Sequence, residues 1–147
     1  MKLLITGYVG NGSNGNNMTL KEYVSQVGKR SKGYECTPLM AAAALNEHFQ
    51  IVKHLIEQGE ADPNIASSYG SNALHYAARN NRTTTELIQL LLTNMTLDSI
   101  NKKWGDLTPL DQCYRDNFSP IRQEIIALLR SKGGIANYFD ENDDIIS

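Results

Sequence analysis

Apolar residues recur along most of this chain at helical spacing. Leu20, Tyr23, Val24 and Val27 stand at i, i+3, i+4 and i+7, which predicts a short helix with one apolar face. Thr19 and Glu22 have the spacing of a capping box, and Gly28 suits the stop, so this helix is expected over 19–28. Three later runs carry larger aliphatics: Ile51-Val52-Lys53-His54-Leu55-Ile56, Leu87-Ile88-Gln89-Leu90-Leu91-Leu92 and Ile125-Ile126-Ala127-Leu128-Leu129. Before each lies a segment of smaller residues: Thr37-Pro38-Leu39-Met40-Ala41-Ala42-Ala43, Asn72-Ala73-Leu74-His75-Tyr76-Ala77-Ala78 and Thr108-Pro109-Leu110-Asp111-Gln112-Cys113-Tyr114. Thr-Pro is a helix start: the hydroxyl caps, and proline at the first helical position lacks only an N–H that has no partner there. Asn72-Ala73 keeps the capping side chain without the preset turn.

The three small-residue segments start 35 and 36 residues apart, so the chain repeats one helix–turn–helix unit three times. The first two aliphatic runs lead into Gly59-Glu60-Ala61-Asp62-Pro63-Asn64 and Asp98-Ser99-Ile100-Asn101. Over about residues 31–137 this order resembles the ankyrin repeat, with its G-x-T-P-L-H-x-A-A, I-V-x-x-L-L and G-A-D-x-N elements. The resemblance implies an all-α solenoid with short β-hairpin fingers. Repeats then fall at 31–64, 65–101 and 102–137, inside a domain over 18–139 whose first helix caps the stack. Residues 1–17, ending in a Gly/Asn-rich stretch, are expected to be flexible. The acidic tail at 140–147 is expected to fray into solvent.

By the same resemblance, His75 bonds backbone and its capping side chain and His48 opens a second helix in a structural slot; His54, between apolar positions of the outer helix, is expected on the surface. The departures concentrate in three places. Glu35 stands where a turn glycine is usual, which predicts an irregular first hairpin. The link Asn81-Arg82-Thr83-Thr84-Thr85-Glu86 is two residues longer than usual. The third repeat has Asp111-Gln112-Cys113-Tyr114 in place of His-x-Ala-Ala, an atypical link Asn117-Phe118-Ser119-Pro120, and a polar Arg122-Gln123-Glu124 suited to a C-terminal cap.

Bulk properties narrow the function classes. A net charge of −2 leaves no basic footprint for nucleic acid, and the trio Lys29, Arg30 and Lys32 reads as a solvated helix end. No apolar run reaches the length of a membrane span. Met1-Lys2-Leu3-Leu4-Ile5 begins like a leader, but the polar stretch Gly7 to Asn17 interrupts it, so a cytoplasmic protein is expected. Cys36 and Cys113 are too far apart in a stacked solenoid to bridge, which fits a reducing compartment. No histidine or cysteine pair has metal-ligand spacing, no phosphate cradle is present, and nothing assembles a nucleophile with a base. Neither an enzyme nor a metal or cofactor is expected.

Recognition of a protein or peptide segment is the function this leaves. Tyr34, Tyr69 and Trp104 recur at a constant 35 residues, at what the resemblance makes the fingertips. Each ring either projects as an interface anchor or folds back to shield its own turn; charged or small residues would serve a bare turn equally well, which favours the first. The positions after the small-residue motif add Leu45, Arg79, Asn80, Arg115 and Asp116 to the concave face. The two arginines are either solvated surface or planar donors for carboxylates. A partner segment with apolar anchors and some acidic residues suits that mixture. A free-standing adaptor or inhibitor, of the kind small ankyrin proteins of viruses and intracellular bacteria resemble, is the expected form. The alternative is a structural module of a larger multidomain protein or effector. A monomer is expected, with end-to-end pairing of imperfectly capped stacks as the alternative association.

Overall fold

The computed structural model describes residues 28–29, 35–45, 49–140, 142 and 144–146. Segment 1–17, the cap helix apart from Gly28, Tyr34 and His48 lie outside the described residues. Gly28 lies in a strand: β1 (Gly28–Lys29) pairs antiparallel with β2 (Glu35–Cys36), Gly28 opposite Cys36 and Lys29 opposite Glu35. The first hairpin thus opens before the boundary expected at 31. Glu35 sits in regular register, because a strand pair needs only backbone groups at that position.

Seven helices follow among the described residues: α1 Pro38–Ala44, α2 Phe49–Glu57, α3 Ala73–Arg79, α4 Thr85–Thr93, α5 Leu97–Ile100, α6 Pro109–Asp116 and α7 Arg122–Ser131. In one layer α3 packs between α1 and α6; in the other α4 packs between α2 and α7. The first layer can be close because its contact residues are small: Ala43, Ala77 and Ala78 are wholly buried. Between the layers Leu74, Ile88, Leu91, Leu110, Ile125 and Leu129 form a continuous core. Each such side chain contributes roughly 1.5–3 kcal/mol on leaving water.

The expected caps form. Thr37 Oγ1 accepts the Met40 N–H at 3.1 Å, Asn72 Oδ1 accepts the Leu74 and His75 N–H groups, and Thr108 Oγ1 accepts that of Asp111. The long link after α3 ends in one more cap, Thr84 Oγ1 to the Leu87 N–H. The one-turn α5 lies just before Asn101, and Thr96 caps it through the Ser99 N–H. His54, expected on the surface, is half-buried.

Asparagines tie successive repeats. Asn64 Oδ1 accepts the Thr96 N–H at 2.8 Å while its Nδ2 reaches the Asn94 carbonyl. One repeat on, Asn101 Oδ1 accepts the Ile135 N–H and its Nδ2 donates to the Gly133 carbonyl. Asn117, fully buried, donates to the Ala78 carbonyl at 2.9 Å. A side-chain amide carries a donor and an acceptor, so it satisfies two backbone groups of the next unit at once.

The described residues of the acidic end make contacts of their own. Phe139 and Ile145 form an antiparallel bridge, the Ile146 N–H donates to the Tyr138 carbonyl, and Asp140 accepts the Asn142 and Asp144 N–H groups. Phe139 stacks on Tyr114 at 4.9 Å, and Tyr114 and Arg130 both donate to the Asp140 carbonyl. The unusual Asp111 and Tyr114 are what hold it: Asp111 Oδ1 accepts the Asn137 and Tyr138 N–H groups.

Candidate partner-binding site

Two of the recurring aromatics fall on tight turns that stand against the first layer. In the turn Ser67–Ser71, Ser67 Oγ accepts the Tyr69 and Ser71 N–H groups and the Gly70 N–H closes on the Ser67 carbonyl. Gly70 sits at φ 93°, and a Cβ there would lie 1.9 Å from the Lys103 carbonyl oxygen. This glycine therefore lets the second turn rest on the third. In that third turn Trp104 and Leu107 exchange both backbone hydrogen bonds around Gly105-Asp106. Gly105, at the first central position, has φ 64°, the left-handed conformation that a two-residue hairpin turn of this kind needs.

The rings differ in placement. Tyr69 is 62% exposed. Trp104 is half-buried and does not project: its ring meets the edge of His75 at 5.9 Å and lies 5.1 Å from Tyr76, with the Arg79 guanidinium 5.7 Å from its centroid. It folds back, as one of the two expectations had it, yet onto the neighbouring repeat rather than onto its own turn. The reason is the apolar, aromatic surface that α3 presents there. Tyr34, the first of the series, lies outside the described residues.

The helix-end candidates are partnered as well. Arg115 forms a two-pronged pair with Asp116, Nε to Oδ1 at 3.1 Å and Nη2 to Oδ2 at 2.9 Å. Hydrogen bonding to Asp116 raises the Arg115 pKa above its ordinary value. Arg79 Nε stands 4.0 Å from the same Asp116. Both arginines are thus held in place rather than freely solvated. Asn80 reads as structural: it caps α3, and its Oδ1 accepts the Arg82 N–H while its Nδ2 reaches the Ala43 carbonyl. Leu45, at the end of α1, is exposed as expected.

Between the two turns and the first layer lies an open cleft of about 370 Å³ lined by Tyr69, Arg79, Trp104, Leu107, Gln112 and Arg115. The fold therefore brings together four of the candidate residues and leaves Leu45 and Asn80 out. Asn80 lines a second hollow of about 490 Å³ with Ala44, Tyr76, Arg79, Asn81 and Arg82. Beneath the cleft His75 acts as the resemblance implies. Its Nδ1 accepts the Asn72 N–H and its Nε2 donates to the Leu107 carbonyl at 3.1 Å, which fixes the tautomer. Burial lowers its pKa from 6.5 to about 4, so the ring stays neutral and pins the third turn to α3.

Sequence reasoning missed Gln112 and Phe118. Gln112 occupies the slot after the capping-box residue, where α1 has Ala41 and α3 has Tyr76. Counting from the caps gives that register. Phe118 is 78% exposed in the link after α6, and nothing in its local pattern marks it as surface. Among the described residues no group of three or more histidine, cysteine or acidic side chains is placed to hold a metal. Cys36 and Cys113 form no disulfide. No described helix is long and apolar enough to cross a membrane.

The family model described as ankyrin repeats in three copies matches residues 9–103 and again residues 43–140. No curated protein matches the chain. Repeated capped helix pairs, tight turns resting on one another and a match that spans most of the sequence agree. The chain belongs to the ankyrin-repeat family.

Proposed function

We propose that this ankyrin-repeat protein is a non-catalytic recognition module that masks or tethers a partner protein, as an adaptor or inhibitor does. The observation that carries this reading is the cleft between the second and third turns, where Tyr69, Trp104, Arg79 and Arg115 converge. Ankyrin repeats are generally protein-interaction modules, and this cleft joins an aromatic wall to fixed planar cations. Such groups are efficient anchors because little side-chain freedom is lost on docking. Two thiols outside any disulfide support a cytoplasmic setting.

The test is affinity capture from cell lysate with the wild-type chain and with Tyr69→Ala/Arg115→Ala. Both changes lie on exposed side chains, so circular dichroism melting should give matching transitions. A protein enriched by the wild type and lost with the variant is the expected result. Equal capture by the two would move the site away from this cleft, towards Leu45 and Phe118.

A further inference from the structure

Gln112 is the odd member of the cleft. It is 3% exposed, in the middle of α6, and its Oε1 is buried with no hydrogen-bond partner among the described residues. A buried amide oxygen without a donor costs about 1–3 kcal/mol, and native structures leave few of them. The equivalent slots hold Ala41 and Tyr76, so stacking the repeats does not require an amide at this position. Gln112 lines the open cleft, and a turn of its side-chain amide towards the opening would present this acceptor to an N–H that arrives from outside.

The charges lining the same cleft are unevenly matched. Two guanidiniums share the single carboxylate of Asp116. Arg115 uses Nε and Nη2 on it, while Arg79 makes an ion pair at 4.0 Å but no hydrogen bond. Lys102 and Lys103 are exposed beside Trp104, and the opposing charge on that turn is Asp106. Two guanidiniums against one carboxylate leave an excess of positive charge that a further negative group would offset, and Asp116 already stands beside both. Trp104, fixed by His75, Tyr76 and Arg79, supplies a rigid apolar wall next to them.

We infer that the cleft receives an acidic residue of an extended partner segment: its side-chain carboxylate meets Arg79 and Arg115, and a peptide N–H donates to Gln112 Oε1 as the amide turns into the cleft. The inference rests on the reading of this cleft as the docking site. An open cleft suits a continuous chain, which passes through it and places backbone and side chain at fixed spacing. Docking then offsets part of the excess positive charge and gives the orphaned oxygen a donor, while Tyr69 and Trp104 cover the flanking apolar atoms.

The test pans a random-peptide phage library against the full chain, then measures synthetic versions of the enriched peptides by calorimetry. Enriched clones are expected to share an aspartate or glutamate. Changing it to the amide should weaken binding roughly tenfold, as should Arg115→Gln. Added salt should weaken the wild-type complex further. Gln112→Met removes the orphaned acceptor at similar volume, so it should leave the melting temperature unchanged or higher while weakening the peptide about as much. That pairing separates lost recognition from lost folding.

Clones without a shared acidic residue, or clones insensitive to both Arg115→Gln and Gln112→Met, would overturn the acidic subsite. If those clones still lose binding with Tyr69→Ala, the cleft remains the docking site. If they bind the Tyr69→Ala, Arg115→Gln and Gln112→Met variants as well as the wild type, the docking reading falls too.

Discussion

Gly70 and Gly105 occupy equivalent turn positions, 35 residues apart, yet the structure requires them for different reasons. Both have positive φ, which costs an L-residue about 1–2 kcal/mol. At Gly105 nothing lies within 4 Å of an added Cβ, so Gly105→Ala should cost only that amount. At Gly70 the same methyl meets the Lys103 carbonyl at 1.9 Å, and the backbone of two repeats must separate. Gly70→Ala should therefore cost more than about 2 kcal/mol in urea denaturation. Equal losses for the two variants would show that the turns do not rest on each other. The aromatic that follows each spacing rule, Tyr69 or Trp104, is likewise separated by its surroundings: one stands in solvent and the other lies on α3.

At the scale of elements, most helices start where a threonine or asparagine can cap and stop with less regularity. The end of α2 is the weakest boundary. Glu60 has φ 52°, the only described non-glycine residue in the left-handed region, while Gly59 beside it does not need that freedom. The sequence makes Gly59 the natural stop, and the structure moves the turn by one residue because the Ala61 N–H bonds the Leu55 carbonyl at 2.8 Å. Relieving Glu60 with glycine should stabilise the chain by about 0.5–1 kcal/mol, the left-handed penalty less the added flexibility of glycine. Thermal melting of Glu60→Gly checks this, and a lowered midpoint would count against strain at that turn. The α7 end is built the other way, with Gly133 at φ 90° meeting the same demand without strain.

Across the whole molecule, stability resides in the links between repeats, since each unit buries its apolar face only against a neighbour. His75 is one such link: it joins α3 to the third turn through Leu107. Its pKa falls from 6.5 to about 4 because burial disfavours the charged ring. The unfolded chain therefore takes up a proton on this residue before the folded one does. Its contribution is complete above pH 6.5 and is lost as the pH falls towards about 4, at up to about 1.4 kcal/mol per unit. Urea midpoints at pH 7 and pH 5 should thus fall further for the wild type than for His75→Gln. Parallel falls would mean that the ring does not govern the acid response. The Asp111 capping box plays the corresponding part at the far end, where its second oxygen holds the chain after residue 136.

The sequence by itself determined the repeat count, the helix pairs and the caps. Each of these depends on neighbours within a few residues or on a spacing that recurs, and both are written along the chain. Four of the candidate residues, Tyr69, Arg79, Trp104 and Arg115, were legible for the same reason. What they do was not. Whether Trp104 projects or packs depends on the face of α3 one repeat away, and whether Arg115 is free depends on how its guanidinium settles against Asp116. Asp140 to Asp144 reads as solvated charge because the pattern shows only composition. The tertiary structure instead joins Asp140 to Tyr114 and Arg130 through its backbone carbonyl, beside the Phe139 ring stacked on Tyr114. Only the stacking of repeats places Gln112 on a cleft wall with an unmet oxygen, because burial and partnership are properties of the assembled layers and not of any one segment.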